Sequence, residues 1–215
     1  WLPEMYSPVF LFDSSTEKTS NYEKVIGHLP DTTCQIEVKD FESLVTHNTA
    51  ILGILGIGKS CLTFELIKKV VENTNAKVIC IDITGEYFDT LKEYSLTVEE
   101  VDSASINKKI EDKYEYFDKD IANGGNHSDF EAEIYTVLDA FMSDKKMQVL
   151  VINPEDFEVN IQTHEPKKNK IGENWVETAS MRDLTVAEIT RIIAEAILEK
   201  CKDEGRSREA KCLLV

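Results

Sequence analysis

The sequence lacks long apolar runs, regularly spaced cysteines and clustered histidines. No apolar run approaches the roughly 18–20 residues of a membrane-spanning helix, so we expect no association with a membrane. The five cysteines are an odd number without C-x-x-C spacing, and the four histidines are scattered. A disulfide framework or a metal centre is therefore not expected. We expect the cysteines to be free thiols in a reducing cytoplasm.

Basic residues are scarce as well. The chain has 24 lysines and arginines against 40 aspartates and glutamates, which gives a formal net charge of −16 at pH 7. Because phosphate neutralisation needs lysine and arginine, this composition argues against a surface that holds nucleic acid by bulk electrostatics. It leaves open a local basic lining, such as the pore of a ring.

The residues that are present describe a soluble globular protein. Of 215 residues, 42% are hydrophobic and 30% are charged. This length suits one large domain, or a domain with part of a second. There is no signal peptide and the first residue is Trp1, so we expect an internal piece of a longer protein.

One octapeptide carries a specific chemical signal. Gly53–Ser60, with the sequence GILGIGKS, fits the phosphate-binding P-loop pattern G-x-x-x-x-G-K-[ST]. The apolar, β-prone Thr49–Leu52 precedes it, and Cys61–Val71 follows it with apolar residues at helical spacing. Strand, glycine loop and helix form the context that this pattern requires. The sequence therefore predicts a nucleoside triphosphate site.

The residue types in this loop indicate how the phosphates would be held. Glycines let successive backbone N–H groups point at phosphate oxygens, and the positive end of the following helix adds to the attraction. We expect Lys59 to reach the β- and γ-phosphates and the Ser60 hydroxyl to bind Mg²⁺. The predicted nucleotide-binding residues are Gly53, Gly56, Ile57, Gly58, Lys59, Ser60 and Cys61.

The remaining sequence predicts alternating strands and helices. The expected strands are Val9–Phe12, Cys34–Val38, Lys77–Ile83, Met147–Ile152 and Lys211–Val215. The expected helices are two within residues 97–143, separated at Asn123–Asn126, and a long one at Val186–Lys202 that Asp183 or Thr185 would cap. We interpret residues 155–180 as irregular, with an exposed loop or hairpin tip at Glu165–Lys170.

Hydrolysis would need acidic groups that hold Mg²⁺ and orient water, usually at the end of an apolar strand, the Walker B element. Three strands compete for this role. The first ends in Asp82, with Glu86 close behind, and the second ends in Asn153, a poor metal ligand. The third, Lys211–Val215, follows a long helix, and its acidic end would lie beyond Val215.

Asp82–Tyr87, with the sequence DITGEY, resembles the D-x-x-G-E-Y signature of HerA-type ATPases, in the HerA/FtsK group of ring-forming P-loop motors. His47–Gly53 is similar to the segment that enters the P-loop in that family. Arg182–Ile189 is similar to the helix start ahead of its Walker B strand. The resemblance runs from about Gly27 to Val215.

The resemblance implies an α/β fold, a RecA-like P-loop NTPase core with a mostly parallel sheet, using ATP and Mg²⁺. We expect an N-terminal β segment at 1–48, a remnant of the family's β-barrel, and an ATPase core at 49–215 with a helical insertion at about 97–143. The resemblance also implies a cytoplasmic homo-hexamer that moves or unwinds DNA through its pore. An effector partner, a nuclease or a NAD-consuming enzyme, would act with it in DNA processing or antiviral defence.

Several alternatives stay open. The Walker B acids and the arginine finger are expected beyond Val215, so no catalytic base is assigned. Asp82 and Glu86 either cap a turn and helix or serve the nucleotide site, with Asp82 a candidate Mg²⁺ ligand. The protein could also be a nucleotide-gated ring that activates a partner without moving DNA, which the charge of −16 favours. A monomeric P-loop kinase is the third alternative, against which the D-x-x-G-E-Y resemblance argues.

Overall fold

The computed structural model describes residues 22–28, 31–32, 34–115, 124–171, 174–203 and 212–215. The chain divides into two compact units, Trp1–Ala76 and Lys77–Val215. The predicted strand Val9–Phe12 lies outside the described residues, as do Phe117 and Ile121 of the first predicted helix.

The first unit contains a small hairpin and two helices. Strands β1 (Val25–His28) and β2 (Gln35–Glu37) pair antiparallel, and β2 lies where a strand was predicted. Helix α1 (Phe41–Thr46) starts at Asp40, whose carboxylate accepts a hydrogen bond from the Glu42 N–H at 3.0 Å. Helix α2 (Lys59–Asn73) buries apolar residues at helical spacing: Phe64, Leu66, Ile67, Val70 and Val71. The predicted P-loop helix is therefore confirmed.

The strand expected ahead of the P-loop is not formed. Residues 48–54 have no regular secondary structure, and Leu52 is 89% exposed. Ile54, Leu55 and Ile57 within the loop are exposed too. The strand prediction for Thr49–Leu52 is wrong because β propensity alone does not make a strand. A strand needs a partner ladder, and this segment pairs with none of the described strands.

The second unit alternates strands and helices. Its elements are β3 (Lys77–Ile81), α3 (Tyr87–Glu93), β4 (Val98–Glu100), α4 (Ser103–Glu111), α5 (His127–Ser143), β5 (Val149–Ile152), β6 (Asn160–Ile171), β7 (Asn174–Asp183), α6 (Val186–Asp203) and β8 (Cys212–Leu214). Four strands form one sheet in the order β4-β5-β3-β8, and every neighbouring pair is parallel. This sheet confirms the predicted α/β fold class.

The hydrophobic core lies where three helices cover this sheet. Every residue of β5 is buried, as expected of a continuous apolar run inside a parallel sheet. One cluster joins Ile79, Leu150 and Ile152 of the sheet to apolar residues of α4, α5 and α6: Ile106, Ile110, Phe130, Ile134, Leu138, Phe141, Ile189, Ile193, Ala196 and Ile197. The two helices predicted within residues 97–143 therefore belong to the packed core of this unit.

Three elements differ from the predictions. Val98–Glu100 was expected to be helical but forms the edge strand β4, because pairing with β5 outweighs the helix preference of its two glutamates. Helix α3 was not anticipated. Residues 155–180 are not irregular. Most of them belong to the antiparallel hairpin of β6 and β7.

The start of α6 confirms the predicted helix and identifies its cap. Thr185 and Glu188 form a capping box, in which the Glu188 carboxylate accepts hydrogen bonds from the Thr185 N–H and hydroxyl, both at 2.9 Å. Arg182 adds a bidentate ion pair with the same carboxylate, at 2.9 and 2.7 Å. These contacts, led by the Arg182 hydrogen bonds, lower the pKa of Glu188 to about 2.

We expect this carboxylate to make stability pH-dependent. Its pKa in the folded protein lies below the ordinary value of 4.5, so its stabilisation is complete above about pH 5 and is lost as the pH falls towards 2. In urea unfolding followed by circular dichroism, Glu188→Gln should be less stable than the wild type at pH 7, and the difference should shrink at pH 3. Glu195→Gln, in the exposed 3.9 Å pair with Arg191, serves as the control. A difference for Glu188→Gln that is the same at both pH values would contradict this assignment.

Candidate functional site

Glycines shape the P-loop for two different reasons. Gly56 and Gly58 have φ values of +81° and +92°, a left-handed conformation that residues with a side chain rarely adopt. Gly53 is needed for space instead, because a Cβ there would lie 2.7 Å from Cγ2 of Ile57. The same Cβ would crowd Lys59, at 3.4 Å from its Cγ. The loop therefore depends on glycine at each of the three positions.

The start of α2 leaves backbone donors without helical acceptors. Gly58 occupies the N-cap and has no side chain that could cap the helix, and the first helical bond is donated by the Leu62 N–H to the Gly58 carbonyl at 3.1 Å. The N–H groups of Lys59, Ser60 and Cys61 precede that bond, so no intrahelical carbonyl accepts from them. Together with the positive end of a 15-residue helix, they suit an anionic phosphate.

The lysine of the motif folds across its own loop. Lys59 is half-buried, and its ammonium donates a hydrogen bond to the Ile54 carbonyl at 2.9 Å. The Lys59 carbonyl in turn accepts from the Thr63 hydroxyl at 3.0 Å. The positive charge thus lies beside the segment that a triphosphate would occupy, at the first residue of α2.

The residues at the start of α2 fit a Mg²⁺ ion that is bound together with a nucleotide. Mg²⁺ usually keeps several waters and is bound by one or two protein oxygens together with substrate phosphates. Ser60 is exposed at the second position of α2 and offers one such oxygen. Among the described residues no group of three or more His, Cys, Asp or Glu side chains could hold a metal on its own. Binding of the metal would therefore depend on the nucleotide.

The second unit carries the acidic residues singled out by the sequence. Asp82 directly follows β3 and is only 2% exposed. Its Oδ1 accepts hydrogen bonds from the Thr84 N–H at 2.9 Å and the Thr84 hydroxyl at 2.7 Å. Its Oδ2 accepts from the Tyr87 N–H, the first residue of α3, at 2.9 Å. The carboxylate therefore closes the turn and caps the helix, and a role as a Mg²⁺ ligand stays a prediction.

The two ionisable neighbours of Asp82 are held in their neutral forms. Burial, and then the charge of Asp82, raise the pKa of the Cys80 thiol to about 12. Burial is also the largest cause that raises the pKa of Tyr87, followed by the nearby acidic groups. At neutral pH the thiol is therefore not a nucleophile.

Glu86 is placed differently from Asp82. It is exposed at the N-cap of α3 and makes no capping hydrogen bond with its side chain. Gly85 precedes it with φ +72°, a left-handed turn residue that explains the glycine of the D-x-x-G-E-Y pattern. Sequence reasoning missed Thr84, although Asp followed two residues later by Thr is a recognisable turn signal.

The described helices include none that is both long and apolar enough to cross a lipid bilayer.

The P-loop belongs to the first unit, and Asp82 and Glu86 belong to the second. Arg182 and Arg191 pair with acidic residues of α6, and Arg206 and Arg208 lie outside the described residues.

Comparison with known proteins gives one family. The family described as "Helicase HerA, central domain" matches residues 24–212, which is most of the chain. The curated proteins and the solved structures yielded no match. The matched range includes the P-loop and the three segments where the sequence resembles HerA-type ATPases: His47–Gly53, Asp82–Tyr87 and Arg182–Ile189. The chain belongs to the HerA central-domain family.

Proposed function

We infer that this chain is the ATP-binding and ATP-hydrolysing part of a HerA-like DNA translocase or helicase. Membership in the HerA central-domain family supports a P-loop ATPase of the HerA/FtsK type. The observation that carries the proposal is the loop itself, where left-handed glycines, an uncapped helix start and a lysine folded over the loop occur together.

The chain's own residues account for the binding part of this activity. The N–H groups at the start of α2 would bind phosphate oxygens, and Lys59 would exchange the Ile54 carbonyl for the β- and γ-phosphates. Ser60 would be the protein ligand of Mg²⁺, which neutralises charge on the phosphates when bound. The exposed Glu86 is the candidate for an auxiliary role.

Assembly and partners extend this proposal. A homo-hexamer with an effector, a nuclease or a NAD-consuming enzyme, would couple ATP hydrolysis to DNA processing or to antiviral defence. The net charge of −16 favours a second candidate, in which the ring gates an effector and does not move DNA. Both candidates share the ATP site and differ in whether DNA is a ligand.

The rate of ATP hydrolysis by the full-length protein, with and without DNA, separates these candidates when combined with its mass in solution. We expect a hexamer whose ATP hydrolysis rises several-fold on addition of DNA. A hexamer that ignores DNA but changes the activity of an effector in an ATP-dependent way would favour the scaffold. A protein that stays monomeric at all concentrations and with all nucleotides would overturn both.

A further inference from the structure

One edge of the parallel sheet is open among the described strands. β4 is the last strand at this edge, and it pairs only with β5. The Val101 N–H donates a hydrogen bond to the Val151 carbonyl of β5 at 3.0 Å. Because alternate residues of a strand turn their backbone groups to opposite sides, Val98 and Glu100 turn theirs away from β5. Both residues therefore present backbone donors and acceptors that no described strand pairs with.

A groove lies beside this edge, between β4, α4 and α5. Its volume is about 350 Å³. Glu99 lies directly opposite Leu150 of β5, so the two side chains share the face of the sheet that α4 and α5 cover. The apolar residues that line the groove come from β5, from both helices and from the residue after β4: Val101, Ile106, Val137, Ala140, Phe141 and Leu150. A strand added to β4 would place every second side chain at this groove.

The β4 side of the groove is acidic. Glu99, Glu100 and Asp102 lie there within four consecutive residues. Among the described residues, Lys109 is the one basic residue that lines the groove, and its ammonium donates to the Glu133 carboxylate at 2.8 Å. The charge of Lys109 is therefore shared with an acid of α5, and the β4 side keeps its negative charge.

The opposite end of the groove is closer to neutral. Asp144 lines it at the end of α5, and the ammonium groups of Lys77 and Lys146 lie near this carboxylate. The negative charge of the groove is thus concentrated along the open edge of β4.

This charge restricts what the edge accepts. A second copy that paired edge to edge would bring Glu99 and Glu100 close to their own equivalents, and like charges opposed across a ladder are destabilising. Nucleic acid would bring its phosphates against the same carboxylates. A basic protein segment meets neither obstacle.

We propose that β4 accepts an extended segment of a partner protein as an added strand. The segment would carry lysine or arginine opposite Glu99 and Glu100 and an apolar side chain in the groove. Strand addition of this kind draws affinity from main-chain hydrogen bonds and specificity from pockets for alternate side chains. The proposal goes beyond the proposed function. The groove lies in the second unit and the P-loop in the first, and strand addition needs neither ATP nor DNA. Its failure would leave the ATPase proposal standing.

The first experiment selects peptides on the full-length protein. The probe is a phage-displayed library of random peptides about 12 residues long, enough to include a strand of typical length. A parallel selection uses Ala140→Trp, which places a large side chain at an exposed position of the groove. Peptides retained by the wild type but not by this variant should be enriched in lysine and arginine next to apolar residues. If both proteins retain the same peptides, or if the distinguishing peptides are not basic, the proposal fails.

The second experiment measures the affinity of the most enriched peptide, made synthetically, by fluorescence anisotropy. Glu99→Lys/Glu100→Lys should weaken binding by at least about tenfold at low salt, and by less as salt rises. The matched control, Glu155→Lys/Asp156→Lys, reverses two adjacent exposed acids outside the groove and should stay within about twofold of the wild type. Equal weakening in both variants would show that net charge alone is responsible and would overturn the assignment to β4.

A third measurement tests the strand pairing itself. Methylation of alternate backbone nitrogens of the peptide removes N–H donors without changing its charge. In one of the two alternating patterns it should weaken binding by at least about tenfold, and in the other by much less. Equal affinity for both patterns would contradict an added strand. Wild-type dimers that Ala140→Trp dissociates would place a second copy on this edge, which would also overturn the proposal. Thermal unfolding followed by circular dichroism confirms that each variant is folded.

Discussion

Replacing Lys59 by alanine is expected to lower kcat for ATP hydrolysis by about 10²–10³-fold, the usual cost of removing one donor that stabilises charge in a transition state. Lys59 is the first residue of α2, and its ammonium lies beside the loop, where it donates a hydrogen bond to the Ile54 carbonyl. No other lysine lies within Gly53–Ser60 that could replace it. Steady-state release of phosphate by the full-length protein, measured with and without DNA, gives the effect.

Lys68→Ala is the matched control, because it removes a partly buried lysine from the same helix about two and a half turns further on. Its hydrolysis rate should stay within about twofold of the wild type. Urea unfolding of both variants excludes a loss of fold as the cause. A Lys59→Ala protein that hydrolyses ATP at the wild-type rate would show that the motif does not form the active nucleotide site.

Asp82→Ala should lower the free energy of unfolding by about 3 kcal/mol, the second of the large effects. The carboxylate is buried and accepts three hydrogen bonds, two from backbone N–H groups and one from the Thr84 hydroxyl. Bonds to a charged acceptor contribute about 1.5–3 kcal/mol each, and because Thr84 is exposed, water offsets part of their loss. The measurement is urea unfolding followed by circular dichroism.

Two further variants separate the structural role of Asp82 from a role at the nucleotide site. Glu86→Ala removes an exposed carboxylate from the same turn and should change the free energy of unfolding by less than about 0.5 kcal/mol. Asp82→Asn keeps one acceptor oxygen and the size of the side chain. If Asp82→Asn unfolds like the wild type but loses ATP hydrolysis, capping alone does not explain the role of this residue. A Mg²⁺ role for Asp82 then gains support.

The sequence predicted the parts of the fold that depend on local pattern. The continuous apolar runs around Val78 and Val149 specified buried parallel strands, and helical spacing specified α2, α5 and α6. The pattern Gly-x-x-x-x-Gly-Lys-Ser located the loop without any structure. These signals were readable because each depends on residues that are close neighbours in the chain.

The remaining elements depend on partners that are distant in sequence. Val98–Glu100 is a strand because β5, about 50 residues later, pairs with it, and nothing in Val-Glu-Glu indicates that pairing. The β6–β7 hairpin was not predicted, because its lysines and other polar residues weaken the alternation of apolar and polar residues that is typical of strands. Capping by Asp82 was one of two alternatives in the sequence, since a strand-end acid does not show which N–H groups it will accept from.

The bonds to Asp82 have a further consequence for the residue that follows Gly85. Glu86 lies between Thr84 and Tyr87, whose backbone N–H groups are both held by one carboxylate. Its main chain is therefore already ordered before any ligand arrives. Engaging the Glu86 carboxylate would require only the loss of side-chain rotamer entropy, about 0.5–1.5 kcal/mol, with little further loss from the backbone. The turn thus presents Glu86 as a preorganised acid.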